Sequence, residues 1–501
     1  MQLLAYISFI LFMVTLSLAT CCSLGILSLL TSYVRHKRSL PNGSLGKATL
    51  NDDLPFVTVQ LPIFNEPYVI ESLLDAVSAF AYPQTKSEIQ VLDDSMDETP
   101  EIVRRKVRAL QSRGVQISHL QRNNRQGFKA GALREGMKVA QGEFLAIFDA
   151  DFQPPPDFLL ATLPHFKDQR VGAVQMRLEF MNKDESLLTR IQYALHNLFN
   201  LAQLSASPES SILQFNGTGG IWRKEAITQA DGWQGDTLTE DLDLSLRAQL
   251  NGWQIFYVEN PVSPGLLPTD MKAFKTQQFR WSKGRAETAR KLLRTIWKSS
   301  FSLSKKIEAS IYLFDYSFFM LLFLIGIFSI PIYFFHRWLP TMNVPFMYGL
   351  LGVLVTCPSI VACVANVLHC DQDQHYRIRV WRFLYTCPLS ILFNFGMSFH
   401  HTVAATEGLL GKKSPFMRTP KKQPVGMSGS RRITWRVAVE GIMAAVFTSM
   451  VCTSLCKGYM SLVPLYVLYA LGFGIVFGFS CYSPEGKSRS IEATCPLRSK
   501  Q

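Results

Sequence analysis

The stretch "EFLAIFDAD", residues 143–151, is a short apolar run that stops on two carboxylates. Glu143 to Phe148 reads as a buried β-strand, too short for a typical helix. Asp149 and Asp151 follow it. Residues i and i+2 of an extended chain point the same way, so the two acids can face one ligand. Pro154-Pro155-Pro156 keeps the chain beyond them extended. An acidic turn after a strand is the plainer reading of the same residues.

Similar runs precede it. "FVTVQL" (56–61), "EIQVL" (88–92) and "VQISHL" (115–120) read as strands, with helical stretches near 68–80, 99–113 and 128–140. This alternation predicts an α/β domain with a Rossmann-like, mostly parallel sheet covered on both faces. Such sheets hold ligands at the carboxyl ends of their strands. Asp93 and Asp94 end "EIQVL" as Asp149 and Asp151 end "EFLAIF". Two acid-tipped strands therefore mark the place for chemistry.

With 501 residues the chain has room for two domains or more, and 48% hydrophobic content points to a membrane protein with a large polar part. A net charge of +13 suits anionic lipid, nucleotide phosphate or nucleic acid without choosing between them. No cysteine lies between residues 23 and 356, so the polar region has neither a thiolate zinc site nor a cysteine nucleophile. His400-His401 reads as an interfacial pair of side chains rather than a metal site.

Residues 2–34 are apolar and uncharged, long enough to cross a hydrocarbon core of ~30 Å with tilt. Arg35, His36, Lys37 and Arg38 follow directly, which places the N-terminus outside and the rest of the polar region in the cytosol. Further apolar segments recur near 308–335, 344–369, 380–398, 435–455 and 459–481. Eight Lys or Arg and no acid lie between 408 and 439, so that loop is expected inside. The segment 380–398, led by Arg377, Arg379 and Arg382 and softened by "NFGMSFHHT", then reads as interfacial or re-entrant. The expected layout is a transmembrane helix over 1–35, a cytosolic catalytic domain over 50–300, and an α-helical transmembrane region over 301–482. That region contains an interfacial segment at 380–406 and a loop at 411–434, and a cytosolic tail follows at 483–501.

Downstream, "LTEDLDL" (238–244) sets Glu240, Asp241 and Asp243 into four positions. Part of this is helix-end chemistry, since Thr239 is a good N-cap and first-turn acids complement the helix dipole. Leu242, Leu246 and Leu250 share a face, and Asn251-Gly252 is the stop. "RQGFKAGAL" puts Lys129 at the start of a helix. "QFNGTGG" (214–220) offers glycines for close approach and Asn216 as a hydrogen-bonder, although a plain turn reads equally well. "QQFRW" (277–281) brings together Gln277, Arg280 and Trp281: an amide, a guanidinium suited to diphosphate, and an indole on which a sugar can stack.

In order, the chain reads DD, DAD, TED and Q-x-x-R-W, then membrane segments. This series resembles the family 2 glycosyltransferases and, among them, the membrane-embedded cellulose synthase-like enzymes. "VLDDSMDET", "TEDLDLSLR" and "QQFRWSKG" are most similar to the mannan and glucan synthase-like branch. The resemblance implies a GT-A fold, a nucleotide-sugar donor and inversion by direct displacement. It implies that Asp93, Asp94, Lys129 and Asp149 bind the donor, and that Asp149 and Asp151 hold Mg²⁺ or Mn²⁺. Asp241 would be the general base with Glu240 beside it, and Gln277, Arg280, Trp281 and Asn216 would serve diphosphate and acceptor. "SPFMRTPKK" (414–422) resembles the family's gating loop through Phe416 and Thr419, with Arg418 where the cellulose synthases carry valine. The implied function is transfer of a hexose from UDP-glucose or GDP-mannose to a growing β-linked polysaccharide, processive and coupled to translocation. A non-processive enzyme making a glycolipid such as glucosyl-diacylglycerol is the alternative. The implied partners are the donor, a glycan or lipid acceptor and membrane lipids, without nucleic acid. The implied location is the plasma membrane or, in a eukaryote, the Golgi.

Overall fold

The computed structural model describes residues 2–39, 53–122, 124–205, 211–335, 376–414 and 434–482, with scattered helical residues between 352 and 364. Seven strands form one sheet: β1 (Val57–Ile63), β2 (Ser87–Asp93), β3 (Ile117–Gln121), β4 (Phe144–Ile147), β5 (Val171–Phe180), β6 (Gly220–Arg223) and β7 (Gln254–Gly265). Their order is β3-β2-β1-β4-β6-β5-β7. Neighbours run parallel except at β6, which is antiparallel to both β4 and β5. The four strands expected from sequence are all present. The structure adds β5 to β7.

Alternation along the strands divides the interior into two cores. Phe144, Ala146 and Phe148 join Val57, Val59 and Leu61 on one side of the sheet. Leu145 and Ile147 join Ala173 and Trp222 on the other. The first core is covered by α2 (Ile70–Ser78) and α3 (Thr99–Gln111), through Leu73, Leu74, Val103 and Val107. In α3, buried Thr99, Val103, Val107 and Leu110 recur at helical spacing, and a proline sits at its start, where no N–H is missed. The second core is covered by α4 (Phe128–Val139), joined after α5 (Phe158–Thr162) and α6 (Leu187–Ser205) by α7 (Lys224–Gln229) and α8 (Glu240–Leu250). Both faces are thus sealed, and the polar strand tips are left at one edge.

The remaining helices are α1 (Gln2–Ser39), α9 (Met271–Lys298), α10 (Leu303–Leu313), α11 (Ser317–Phe335), α12 (Tyr376–Leu409), α13 (Trp435–Lys457) and α14 (Val463–Cys481). Among the described residues, four helical stretches are long and apolar enough to cross a membrane: Gln2–Leu24, Ser317–Phe335, Trp435–Lys457 and Met460–Cys481. They share a core of Phe12, Leu16, Phe318, Leu322, Phe447, Tyr466 and Tyr469. The expected segment at 344–369 falls mostly outside the described residues. So do the tail at 483–501 and most of the basic loop, including Phe416 and Thr419.

Three expectations need correction. The segment 308–335 is not continuous: α10 ends at Leu313 and the long apolar helix starts at Ser317. "NFGMSFHHT" does not end a helix either, because α12 runs unbroken for 34 residues to Leu409. His400 and His401 are both buried, 4% exposed, rather than interfacial. His401 Nδ1 lies 2.7 Å from Ser282 Oγ, and His400 Nε2 lies 2.9 Å from the Lys275 carbonyl. Partners on α9 therefore engage one ring nitrogen of each histidine in the stretch that looked like a helix end.

Candidate active site

Beyond β4 the chain does not stay extended. Ala150 and Asp151 form a turn in which the Phe152 N–H donates to the Asp149 carbonyl at 3.1 Å. The same-side argument for Asp149 and Asp151 therefore fails. Asp149 keeps about a third of its side chain exposed, whereas Asp151 is only 6% exposed. The Asp149 N–H donates to Thr218 Oγ1 at 2.9 Å, which ties the end of β4 to the glycine loop.

Lys129, in the first turn of α4, reaches across to both. Its Nζ donates to Asp149 Oδ1 at 2.5 Å and to the Gly217 carbonyl at 2.9 Å. Burial alone would lower its pKa, but Asp149, Glu240 and Asp241 reverse this and raise it, so the ammonium stays charged. Gly217 has φ of +77°, and a β-carbon there would stand 2.9 Å from Asp241 Oδ2 and 3.3 Å from Lys129 Nζ. Only glycine leaves room for cation and carboxylate to converge at this point. The loop is fixed from below by Gln175, which accepts from the Asn216 N–H at 2.8 Å and donates to the Thr218 carbonyl at 3.0 Å. Among the described residues, neither Oδ1 nor Nδ2 of Asn216 has a hydrogen-bond partner, although both are shielded from solvent.

Glu240 and Asp241 open α8. The expected cap is absent: the Thr239 side chain makes no capping bond, and its Oγ1 meets Thr288 Oγ1 of α9 at 3.3 Å. Burial, then the charge of Asp241, pushes Glu240 up to about 7 against the pull of Lys129 and Arg280. Burial also raises Asp241, opposed by Lys129, by the Leu242 N–H at 2.8 Å and by Arg280. Asp243 belongs elsewhere. It is fully buried, accepts from Arg247 Nη2 at 2.7 Å, and lies 2.9 Å from Lys291 Nζ.

The Q-x-x-R-W residues lie on α9. Gln277 and Arg280 are half-buried and Trp281 is 38% exposed, so its indole is open for stacking. The effect of Arg280 on both acids of α8 brings its charge into the same site. Asp93 and Asp94 stand at the end of β2, each held by a neighbour of β3. Asp93 Oδ2 lies 2.8 Å from His119 Nε2, and Asp94 accepts from Arg122 Nε at 2.7 Å.

Sequence reading missed three contacts that build this site: His119 on Asp93, Arg122 on Asp94, and Gly284, which lets α9 lie against Thr239. It also missed the anchor behind α9. There Lys275 Nζ bonds both carboxylate oxygens of Glu440 at 2.7 and 2.6 Å, and Ser480 Oγ at 2.7 Å, joining α9 to α13 and α14. A glycine inside "RWSKG" was the available signal for the first α9 contact.

Residues 55–284 match the family described as glycosyltransferase like family 2. Glucomannan 4-beta-mannosyltransferase 1 of Oryza sativa subsp. japonica is 37% identical over 388 residues, which cover 73% of this chain and 69% of that protein. Glucomannan 4-beta-mannosyltransferase 9 of Arabidopsis thaliana is 36% identical, with 77% of this chain and 71% of that protein aligned. Among solved structures, the Pyrobaculum calidifontis mannosyltransferase PcManGT, in complex with GDP-Man and Mn²⁺, shares the fold. Its TM-score is 0.56 at 19% identity, over 80% of this chain and 100% of its own. Both plant relatives align over more than two thirds of their own length, and the acid series and Q-x-x-R-W lie within the matched region. The chain belongs to the family 2 glycosyltransferases, in their membrane-bound cellulose synthase-like branch.

Proposed function

We propose that the chain moves mannose from GDP-mannose onto a growing β-linked polysaccharide at the membrane, with inversion at the anomeric carbon. The reading is carried by one convergence: Lys129 bonds Asp149 and the Gly217 carbonyl, and the missing β-carbon of Gly217 admits Asp241 to the same point. A cation for the departing diphosphate thus stands beside a carboxylate whose pKa is raised toward that of a useful base. Asp241 takes the proton of the acceptor hydroxyl as that oxygen bonds to the anomeric carbon and the nucleoside diphosphate leaves. Glu240 sets the field of Asp241. Lys129 and Arg280 balance the charge of the leaving group. Gln277 and Trp281 receive the acceptor, together with the unpaired amide of Asn216. Asp93 and Asp94 border the nucleoside. The relatives' names support mannose over glucose.

Asp149 and Asp151 fit a hard divalent cation by donor type alone, both being oxygen donors. Lys129 holds Asp149 Oδ1, and the turn at Ala150 and Asp151 separates the two side chains' directions. Among the described residues no three His, Cys, Asp or Glu gather into a cage. The protein therefore offers a partial shell, of the kind Mg²⁺ or Mn²⁺ accepts when phosphates complete it. Bound there, the ion would neutralise diphosphate charge. The catalytic domain and the 411–434 loop face the cytosol in this reading, and the polymer leaves through the membrane helices.

Purified protein in lipid, given GDP-mannose or UDP-glucose separately, tests the proposal. GDP release with an insoluble product cut by β-mannanase is the expected result. A β-glucanase-sensitive polymer from UDP-glucose would overturn the choice of donor. A product extracted into organic solvent would overturn the polymer and support a glycolipid.

A further inference from the structure

Helix α10 carries apolar residues on two faces. Ala309 and Leu313 point inward, in a cluster with Leu242 and Leu246 of α8 and Ala289, Leu292 and Ile296 of α9. Leu303, Ile307 and Ile311 point outward and are 65%, 45% and 56% exposed. Four residues apart, they make one stripe along the helix. Trp297, at the end of α9 and 48% exposed, stands beside that stripe because its indole N–H donates to Ser310 Oγ at 3.1 Å.

A helix facing water carries polar side chains on its outer surface. A contiguous exposed set of Leu, Ile and Trp marks a contact surface instead. Two further features identify what it contacts. Only residues 314–316 separate α10 from the membrane-crossing helix at Ser317–Phe335, so the stripe starts where the chain enters the bilayer. Cations flank it: Arg294 and Lys298 are exposed on the last turns of α9, and Lys306, next to Ile307, is half-exposed on α10. Apolar stripe, flanking cations and a tethered tryptophan are together the pattern of a helix lying in a lipid interface.

We propose that α10 docks on the surface of an anionic leaflet, with Leu303, Ile307, Ile311 and Trp297 seated at the boundary of headgroups and acyl chains. The flanking Lys and Arg then meet lipid phosphates, each contributing to a modest, salt-sensitive attraction. The opposite face of α10 packs on α8, whose first turn carries Glu240 and Asp241. Lipid contact on one side therefore fixes the height of these two acids above the membrane on the other. The surface does not depend on which sugar or acceptor the enzyme uses.

The test uses the full chain in nanodiscs of phosphatidylcholine with phosphatidylserine. Photoreactive benzoylphenylalanine replaces Leu303, Ile307 or Ile311 in separate variants. A control variant carries it at Val139, an apolar residue 58% exposed on α4. After illumination, intact mass should show one phospholipid added at positions 303, 307 and 311 and none at 139. Pure phosphatidylcholine discs should give a several-fold lower yield, as should Arg294→Glu with Lys298→Glu. Equal yields with and without phosphatidylserine would overturn the anionic preference. Adducts of twice the chain mass would replace the bilayer with a second copy. Crosslinks within one chain to 415–433 would replace it with the chain's own loop. Absence of any adduct at all three positions would overturn the surface altogether. Because all three residues are exposed, loss of fold in one variant leaves two to report.

Discussion

Gly284 of α9 lies directly against Thr239, the residue that precedes the acids of α8. A β-carbon on Gly284 would stand 2.6 Å from Thr239 Cγ2, 2.8 Å from Oγ1 and 2.9 Å from the backbone nitrogen. The helix bearing Arg280 and Trp281 and the helix bearing Glu240 and Asp241 therefore meet most tightly at this glycine, ahead of their shared cluster of Leu242, Leu246, Ala289 and Leu292. Gly284→Ala should push α9 away, because the backbone nitrogen cannot swing aside as a side chain can. The expected cost is about 1–3 kcal/mol of stability, the usual penalty for overpacking, with turnover falling at least tenfold. Thr239→Ser in the same chain removes the nearest methyl and should restore part of both. Melting temperature and nucleotide release on the single and double variants check this. No rescue by Thr239→Ser would refute a steric cause.

Gly217→Ala probes the point where Lys129 and Asp241 meet. The new methyl would press on Asp241 Oδ2 at 2.9 Å, and φ of +77° would strain any side chain by ~1–2 kcal/mol. Transfer should fall by a factor of at least ~10, with the fold retained. Gly232→Ala is a matched control: its φ is +69° and a β-carbon there would meet nothing within 4 Å. It should show similar strain with unchanged turnover. Equal loss of activity in both variants would show that backbone strain, not crowding of the site, is responsible.

Asp241 and Asp243 differ by two residues and should fail differently. Asp241→Asn removes proton acceptance at the site while keeping shape. Donor affinity should survive within a few-fold, and transfer should drop by roughly 10² to 10⁴, the range for loss of a general base. Asp243→Asn breaks a fully buried carboxylate away from Arg247 and Lys291. Stability should fall by about 3–5 kcal/mol, since buried Arg247 loses its carboxylate while Lys291 keeps Asp236 and Gln234. Transfer per folded molecule should stay near normal. Calorimetry with single-turnover transfer on both variants separates the two roles, and similar profiles would mean that neither acid is special.

The sheet was legible because its signals are local: short apolar runs, acidic tips and helical spacing between them. The four-residue β6 carried no comparable signal, and its reversed direction is set by its pairing with β4 and β5. The site was legible as a set of motifs and illegible as contacts. Thr239 looks like a cap from its neighbours alone, yet its hydroxyl turns to Thr288, 49 residues on. "DAD" looks extended until the turn at Ala150 and Asp151 is seen. Likewise, His400 and His401 look like the frayed end of a segment because their partners on α9 are more than a hundred residues away. In each case a tertiary contact decided what local chemistry left open.

Glu240 gives the pH dependence a definite sign. Its pKa lies near 4.5 in an ordinary setting and is pushed up to about 7 in the folded protein, chiefly by burial. The folded state therefore binds this proton more tightly than the unfolded chain does. Its contribution to stability is fully present below pH 4.5 and is lost as pH rises to about 7. Asp241 is raised too and adds to the same trend. The melting temperature should fall across this window more in the native protein than in Glu240→Gln, which has no proton to lose. Transfer should run the opposite way, because the base must be ionised to work. Its acid limb should lie above the ordinary carboxylate range, titrating as a property of the Glu240–Asp241 pair rather than of either alone. Melting curves and single-turnover rates between pH 4.5 and 8, about the span of these ionisations, measure both. A stability slope identical in Glu240→Gln and the native protein would exclude Glu240 as its source. An acid limb near pH 4 would show that Asp241 ionises as an exposed carboxylate does, and that burial does not tune the base.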